Sequence, residues 1–323
     1  MEKIIIRQGA YEAHILPYGA TLQSLLVPDR TGQLRDVVLG YETPEEYRQN
    51  DGYLGATVGR CANRIAGAQF VLNGVTYLLT ANEGNNQLHS GPHGLHQKAW
   101  SWTQSAENAV TLRTLSPDGE DGYPGTLQVT VRYTLEGGAL TIGYEAICDK
   151  DTLCNLTNHA YFNLAGQDSG DVSGHALAVN ADCYTPCGAG TIPTGEIRAV
   201  EGTALDLRQA VRLGDRLGAA ELAEYSGYDH NFCLCSGEAA RLRCPESGIC
   251  MDVETTLPGL QVYTAGFLTK RQGKDGAVYG RNHAVCLETQ FWPDAVHHED
   301  FPSPVLRAGE VYRHKTVYRF TVL

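Results

Sequence analysis

The chain has 323 residues, 42% apolar and 19% charged, with 36 glycines, a composition that excludes a disordered or fibrous protein. Its net charge of −12, with no Lys/Arg cluster, argues against nucleic acid or an anionic membrane as partner, since both reward a basic patch. No apolar run is long enough to span a bilayer, and Met1 to Arg7 lacks the apolar region of a signal peptide, so a cytoplasmic location is expected.

In chain order, Thr43 is placed to cap a short helix from Pro44 to Gln49. The segment Val58 to Ile65 sets Asn63 and Arg64 just ahead of a hairpin from Gln69 to Leu79, turned at Asn73-Gly74. His89 falls in a glycine-bounded loop, Asn85 to Gly91. Leu127 to Leu135 alternates cleanly and leads through Glu136-Gly137-Gly138 into Ala139 to Ala146, which predicts a second hairpin.

Leu153 to Leu164 reads as one strand whose face carries Asn155, Thr157, His159, Tyr161 and Asn163, polar but uncharged, a surface suited to a neutral polyhydroxylated ligand. A second short helix is expected from Gly218 to Tyr225. Two later strands repeat the polar-face pattern: Tyr228 to Phe232 presents Asp229 and Asn231 opposite His230, and Pro258 to Thr264 presents Gln261 and Tyr263 opposite Leu260 and Val262. Ala284 to Ala295 sets Glu288 in a largely apolar strand, where a carboxylate is expensive to desolvate without partners or a task.

Turn signals are spread evenly, with no repeat, low-complexity tract or linker, so one large antiparallel β domain over residues 1–323 is the economical architecture. The ten cysteines show no C-x-x-C pair and read as reduced, mostly buried thiols, with a zinc site from Cys183 and Cys187 the weaker alternative. Taken singly, the polar side chains are not specific. A lone histidine is usually a satisfied structural group, Asp229 serves equally as a turn cap, Arg64 as a loop clamp and Glu288 as half of an ion pair.

Together they resemble a known family. Gly59-Arg60-Cys61-Ala62-Asn63-Arg64-Ile65, Leu88-His89-Ser90-Gly91, Asn155 to Leu164, Asp229-His230-Asn231-Phe232, Pro258 to Thr264, and Leu287-Glu288-Thr289-Gln290-Phe291-Trp292-Pro293-Asp294-Ala295 are similar, in that order, to aldose 1-epimerase, also called galactose mutarotase. Tyr18 to Leu22, Asp36 to Tyr41, Ser116 to Gly125 and Leu306 to Glu310 extend the likeness over most of the chain. The resemblance implies an all-β fold, a large antiparallel β-sandwich with few short helices and a sugar groove on a sheet face. It implies Glu288 as general base, His159 as general acid, and His89, Asn63, Arg64, Asp229 and Gln261 on the sugar hydroxyls.

Anomer interconversion through the open-chain aldehyde requires one base and one acid and no metal, nicotinamide or covalent intermediate, and the chain carries no G-x-G-x-x-G, P-loop or H-E-x-x-H motif. The expected partner is a small sugar alone, without cofactor, bound to a monomer or homodimer. A carboxylate beside His159 is expected to favour the charged imidazole. The segment Tyr263-Thr264-Ala265-Gly266-Phe267 departs from the family's Tyr-Thr-Gly-Asn-Phe and loses an amide near the groove. Three alternatives stay open: a hexose-6-phosphate 1-epimerase, with Arg64 and Arg60 as cations, a non-catalytic carbohydrate-binding module, and a glycoside hydrolase using Asp229 as second carboxylate.

Overall fold

A computed structural model describes residues 2–323. Its regular structure is β, with helical turns limited to 3₁₀ segments of three or four residues. The strongest local signals give the longest strands. Leu127–Glu136 and Ala139–Cys148 pair in register from Leu127↔Cys148 to Glu136↔Ala139, and the alternation places Val129, Val131, Tyr133 and Leu135 inward. Gly137 and Gly138 join them with φ of 56° and 74°, the two left-handed positions that a tight hairpin turn of this hand requires. Gln69–Leu72 and Val75–Leu78 form the other expected hairpin.

Gln69–Leu72 and Val75–Leu78 form a separate ribbon, whereas the Leu127–Glu136 and Ala139–Cys148 pair belongs to a nine-stranded sheet in the order Ser101–Ala106, Ala109–Ser116, Leu127–Glu136, Ala139–Cys148, Val311–Val322, Ile249–Thr255, Ala240–Arg243, Ala176–Val179, Val211–Arg212. Val311–Val322 stands in the middle and pairs antiparallel with Ala139–Cys148 on one side and Ile249–Thr255 on the other. One face is covered by two smaller sheets. A four-stranded meander, Ile4–Gln8 to Leu34–Asp36, packs Ile6, Ala13, Ile15 and Leu25 into the same core as Val110, Leu112 and Val131. A six-stranded sheet packs against the middle of the large one, where Phe162 and Tyr318 rings lie 4.9 Å apart and Tyr318 donates to the Leu287 carbonyl. The expected all-β sandwich is the observed architecture.

Two expectations change in detail. Pro44 to Gln49 and Gly218 to Tyr225 shrink to the 3₁₀ turns Glu46–Gln49 and Ala220–Leu222. Thr43 accepts no capping bond on its side chain from the first turn. Its amide and hydroxyl instead both donate to the Glu46 carboxylate.

Leu153 to Leu164 is not one strand. It breaks into Thr152–Leu153, Thr157–Asn158 and Tyr161–Phe162, each paired with a different segment. Most of its polar groups are structural. Asn155 exchanges hydrogen bonds with the Phe291 backbone, Asn158 donates to the Gly55 carbonyl and Tyr133 hydroxyl, and Asn163 donates to the Gly170 and His283 carbonyls. Buried backbone groups must find partners, and these amides supply them where the ladder is interrupted. The ten cysteines form no disulfide, and six of them are buried. No helix among the described residues is long and apolar enough to cross a membrane.

Candidate active site

The six-stranded sheet runs Tyr161–Phe162, Val285–Gln290, Gly259–Tyr263, Asp229–Cys233, Cys183–Thr185, Arg198–Ala199. Residues directly opposite on antiparallel strands point to the same side, so its register builds rows. Glu288, Gln261, Asn231 and Thr185 form one row across four strands. Tyr161, Cys286, Tyr263 and Asp229 form the next. The intervening residues, among them Val262, Leu260, Phe232 and Leu287, face the core. Gly259 stands in the neighbouring row between Gln290 and Cys233, where a Cβ would lie 2.7 Å from both Asn231 Oδ1 and Trp292 Cδ1; only a glycine lets the indole lie this close to the sheet.

Over these rows lies a cavity of about 470 Å³, lined by Tyr161, Asp229, Gln261, Tyr263 and Glu288 from the sheet and by Tyr53, Asn63, Arg64, Glu83, His89 and His159 from other segments. Arg64 and His89 arrive on a two-stranded ribbon in which Arg64 pairs with Leu88. Asn63 and His89 adopt left-handed φ of 62° and 50°, and Tyr53 a φ of 57°, conformations that non-glycine residues hold only where their surroundings enforce them. All seven side chains singled out in the sequence therefore converge on one cavity.

His159 Nε2 and Glu288 Oε1 are 3.6 Å apart at its floor, both side chains at most 6% exposed. The His159 ring is stacked between Tyr161, at 4.9 Å, and Tyr53, at 5.9 Å. Burial pushes the Glu288 carboxyl well above its usual range, reinforced by Asp229 and opposed by Arg64. Burial also pushes His159 down to about 4. The expectation that the neighbouring carboxylate would hold the imidazole charged is not met: burial drives Glu288 itself toward its neutral form, so no adjacent charge offsets the desolvation of His159. Asp229, held by a 2.6 Å hydrogen bond from Gln261 Nε2, is likewise raised by burial despite Arg64 nearby. Glu288 Oε2 and Gln261 Oε1 have no hydrogen-bond partner among the described residues.

His89 is fixed differently. Its Nδ1 accepts the Asn63 amide at 3.2 Å, and burial, with His159 and Arg64 beside it, drives it well below the usual imidazole range. The neutral ring thus carries its hydrogen on Nε2. His89, His159 and Glu288 offer ligand atoms within 4.8 Å of one another, a spacing that invites comparison with a metal site. A ring nitrogen already committed as a donor suits a hydroxyl oxygen better than a cation. No other cluster of three ligating groups occurs among the described residues, so Cys183 and Cys187 form no zinc site.

The aldose 1-epimerase family model matches residues 2–319. A galactose mutarotase of Mus musculus is 46% identical over 100% of this chain and 94% of its own length. An aldose 1-epimerase of Escherichia coli (strain K12) is 36% identical, covering 95% of this chain and 91% of its own. A crystal structure of an aldose epimerase homologue from C. elegans superposes with a TM-score of 0.93 at 32% identity, covering 100% of this chain and 99% of that one. The chain belongs to the aldose 1-epimerase family.

In this epimerase, sequence pattern missed three lining groups. Tyr53 packs its ring against His89 at 4.6 Å and His96 at 4.7 Å from a loop without periodicity. Glu83 sits in an Asn/Gly-rich stretch that reads as ordinary turn sequence. Arg271 reaches from beyond Phe267 to Asp51, 2.5 Å away and 220 residues earlier, tying two rims of the cavity together. Arg60, considered as a cation for phosphate, lies outside the cavity lining. Its guanidinium is spent on the Ser116, Pro117, Pro124 and Gly125 carbonyls and on the hydroxyls of Ser116 and Thr152.

Proposed function

We propose that this chain, acting as one domain in the cytoplasm without a cofactor, interconverts the α and β anomers of free hexoses such as galactose and glucose. The observation that carries the mechanism is the buried His159–Glu288 pair, 3.6 Å apart, in a cavity whose lining also includes the hydroxyl-binding groups of Asn63, Arg64, His89, Asp229 and Gln261. Glu288 takes the proton of the anomeric hydroxyl while His159 delivers one to the ring oxygen, and the C1–O5 bond breaks to leave the aldehyde. Rotation about C1–C2 presents the other carbonyl face. Reclosure returns the proton from Glu288 to O1 as His159 recovers its own from O5, so the pair ends as it began.

Ring opening requires the pair to hold one proton, placed on His159. In the free site burial favours that proton resting on Glu288 rather than on His159, since it raises the carboxyl and lowers the imidazole. Sugar hydroxyls donating to the carboxylate stabilise its charged form and favour transfer of that proton to the imidazole. Arg64 and Asn63 supply donors to the sugar oxygens, His89 supplies Nε2–H, and Asp229 with Gln261 accepts from hydroxyls.

Two observations weigh against the phosphorylated substrate. The cavity lining carries the carboxyls of Asp51, Glu83, Asp229 and Glu288 against the guanidiniums of Arg64 and Arg271. Both guanidiniums are already paired, with Glu83 and Asp51. A binding module has no use for a buried carboxylate whose Oε2 lacks a partner, which costs stability without serving recognition. The test is polarimetry on freshly dissolved α-D-galactose and α-D-glucose. The wild type should reach the same final rotation sooner, and Glu288→Gln should lose about 10²–10⁴ in kcat. Binding without acceleration would indicate the module, and acceleration confined to glucose 6-phosphate would indicate the phosphate-specific enzyme.

A further inference from the structure

We propose that Glu83 is a positioning residue that holds Arg64 in the orientation from which it binds the sugar. The inference rests on the assignment of Arg64 to substrate. Arg64 Nε donates to Glu83 Oε2 at 2.6 Å and Nη2 to Glu83 Oε1 at 2.8 Å, the side-on bidentate geometry that fixes the guanidinium plane. Nη1 makes no hydrogen bond within the protein's described residues and remains for the ligand.

An ordinary surface ion pair contributes little because both side chains are mobile and solvated. This one differs in burial at the Arg64 end and in backbone anchoring at the Glu83 end, whose side chain is 37% exposed. The Arg64 side chain is 13% exposed. Glu83 stands in a turn closed by amide–carbonyl bonds in both directions with Asn86. The preceding Asn82 side chain donates to the Leu88 carbonyl and accepts the Leu88 amide. Leu88 is the strand partner of Arg64. Clamp and clamped residue are therefore anchored on one ribbon, which also carries His89, so the donor is aimed before the sugar arrives. An arginine without that partner must be ordered by the sugar itself, which weakens binding.

Glu83 also offsets the Arg64 charge within the cavity and keeps Asp229 higher than Arg64 alone would leave it. Removing its charge lets the guanidinium favour the ionised carboxyls more strongly.

The experiment measures mutarotation of α-D-galactose by the full chain across pH, with thermal unfolding in parallel, for wild type, Glu83→Ala, Glu83→Gln, Arg64→Ala and Arg64→Ala with Glu83→Ala. The expected result is a KM raised up to about tenfold in Glu83→Ala with kcat within about twofold. A smaller rise is expected in Glu83→Gln, which keeps one acceptor. The alkaline limb of kcat/KM should move to lower pH in both. In the Arg64→Ala background, adding Glu83→Ala should change KM by less than about twofold, because the group it positions is gone. Unchanged KM and unchanged limb, or a kcat loss that tracks a lowered unfolding temperature, would overturn the proposal while leaving the epimerase reading intact. A wild type without activity would instead overturn that reading.

Discussion

Glu288 and His159 are each pressed toward neutrality by burial, and this sets how the reaction should answer to pH. As pH falls through about 4, His159 gains a proton while Glu288 is already protonated, and the pair then holds two. As pH rises through the raised Glu288 value, the pair loses its only proton. Competence needs one. The profile of kcat/KM should therefore be a bell with its acid limb near pH 4 and its alkaline limb at the Glu288 value, both belonging to the pair rather than to either residue. Initial polarimetric rates from acid to alkaline pH check this, and a rate that stays level through both limbs contradicts it. At this scale the sequence was informative about identity and misleading about protonation, since it pointed to a charged His159 beside Glu288. Glu288 stood out because a carboxylate in an apolar strand needs a reason. Asp229 and Gln261 stood out through period-2 alternation. The direction in which burial drives each group depends on what closes over it, and Tyr53, which stacks on His159, comes from a loop that no pattern marks.

At the scale of elements, the interrupted segment 152–162 positions His159. It passes from one pairing partner to another, and buried amides replace the missing ladder. A pattern of alternating side chains cannot reveal such interruptions, because the partners lie about 100 residues or more away in sequence. By contrast, the hairpin at Gly137-Gly138 was readable because turn and strands are contiguous. Arg60 performs a related task for the loop Ser116 to Gly125, donating to four of its carbonyls from a site 2% exposed. Arg60→Met should keep the stem and strand those acceptors, costing at least about 3 kcal/mol in a urea titration, as expected when several buried polar groups lose their partners together.

For the whole molecule, a net charge of −12 and a cavity whose guanidiniums are internally paired leave little electrostatic attraction for an anion. A neutral sugar feels no such field. The kcat/KM for galactose should thus hold within about twofold from low salt to about 0.5 M NaCl, whereas any rate with glucose 6-phosphate should rise as salt screens the repulsion. Stopped-assay or polarimetric rates over that series test it. The sandwich class was legible from strand texture and turn spacing. The order of strands was not, since it depends on Val311–Val322 coming between segments that precede it by well over a hundred and by about sixty residues.

That placement has a consequence for biosynthesis. Residues 139–148 and 249–255 are neighbours of the same late strand and not of each other, so the largest sheet waits in two separate portions while the polypeptide is being made. Each portion carries an open edge until residues 311–322 have left the ribosome and slotted between them, and open edges are where chains pair with strangers. A nascent or prematurely terminated product lacking that strand thus retains the chemistry-bearing segments but also two sticky margins, making it a natural client for holding chaperones.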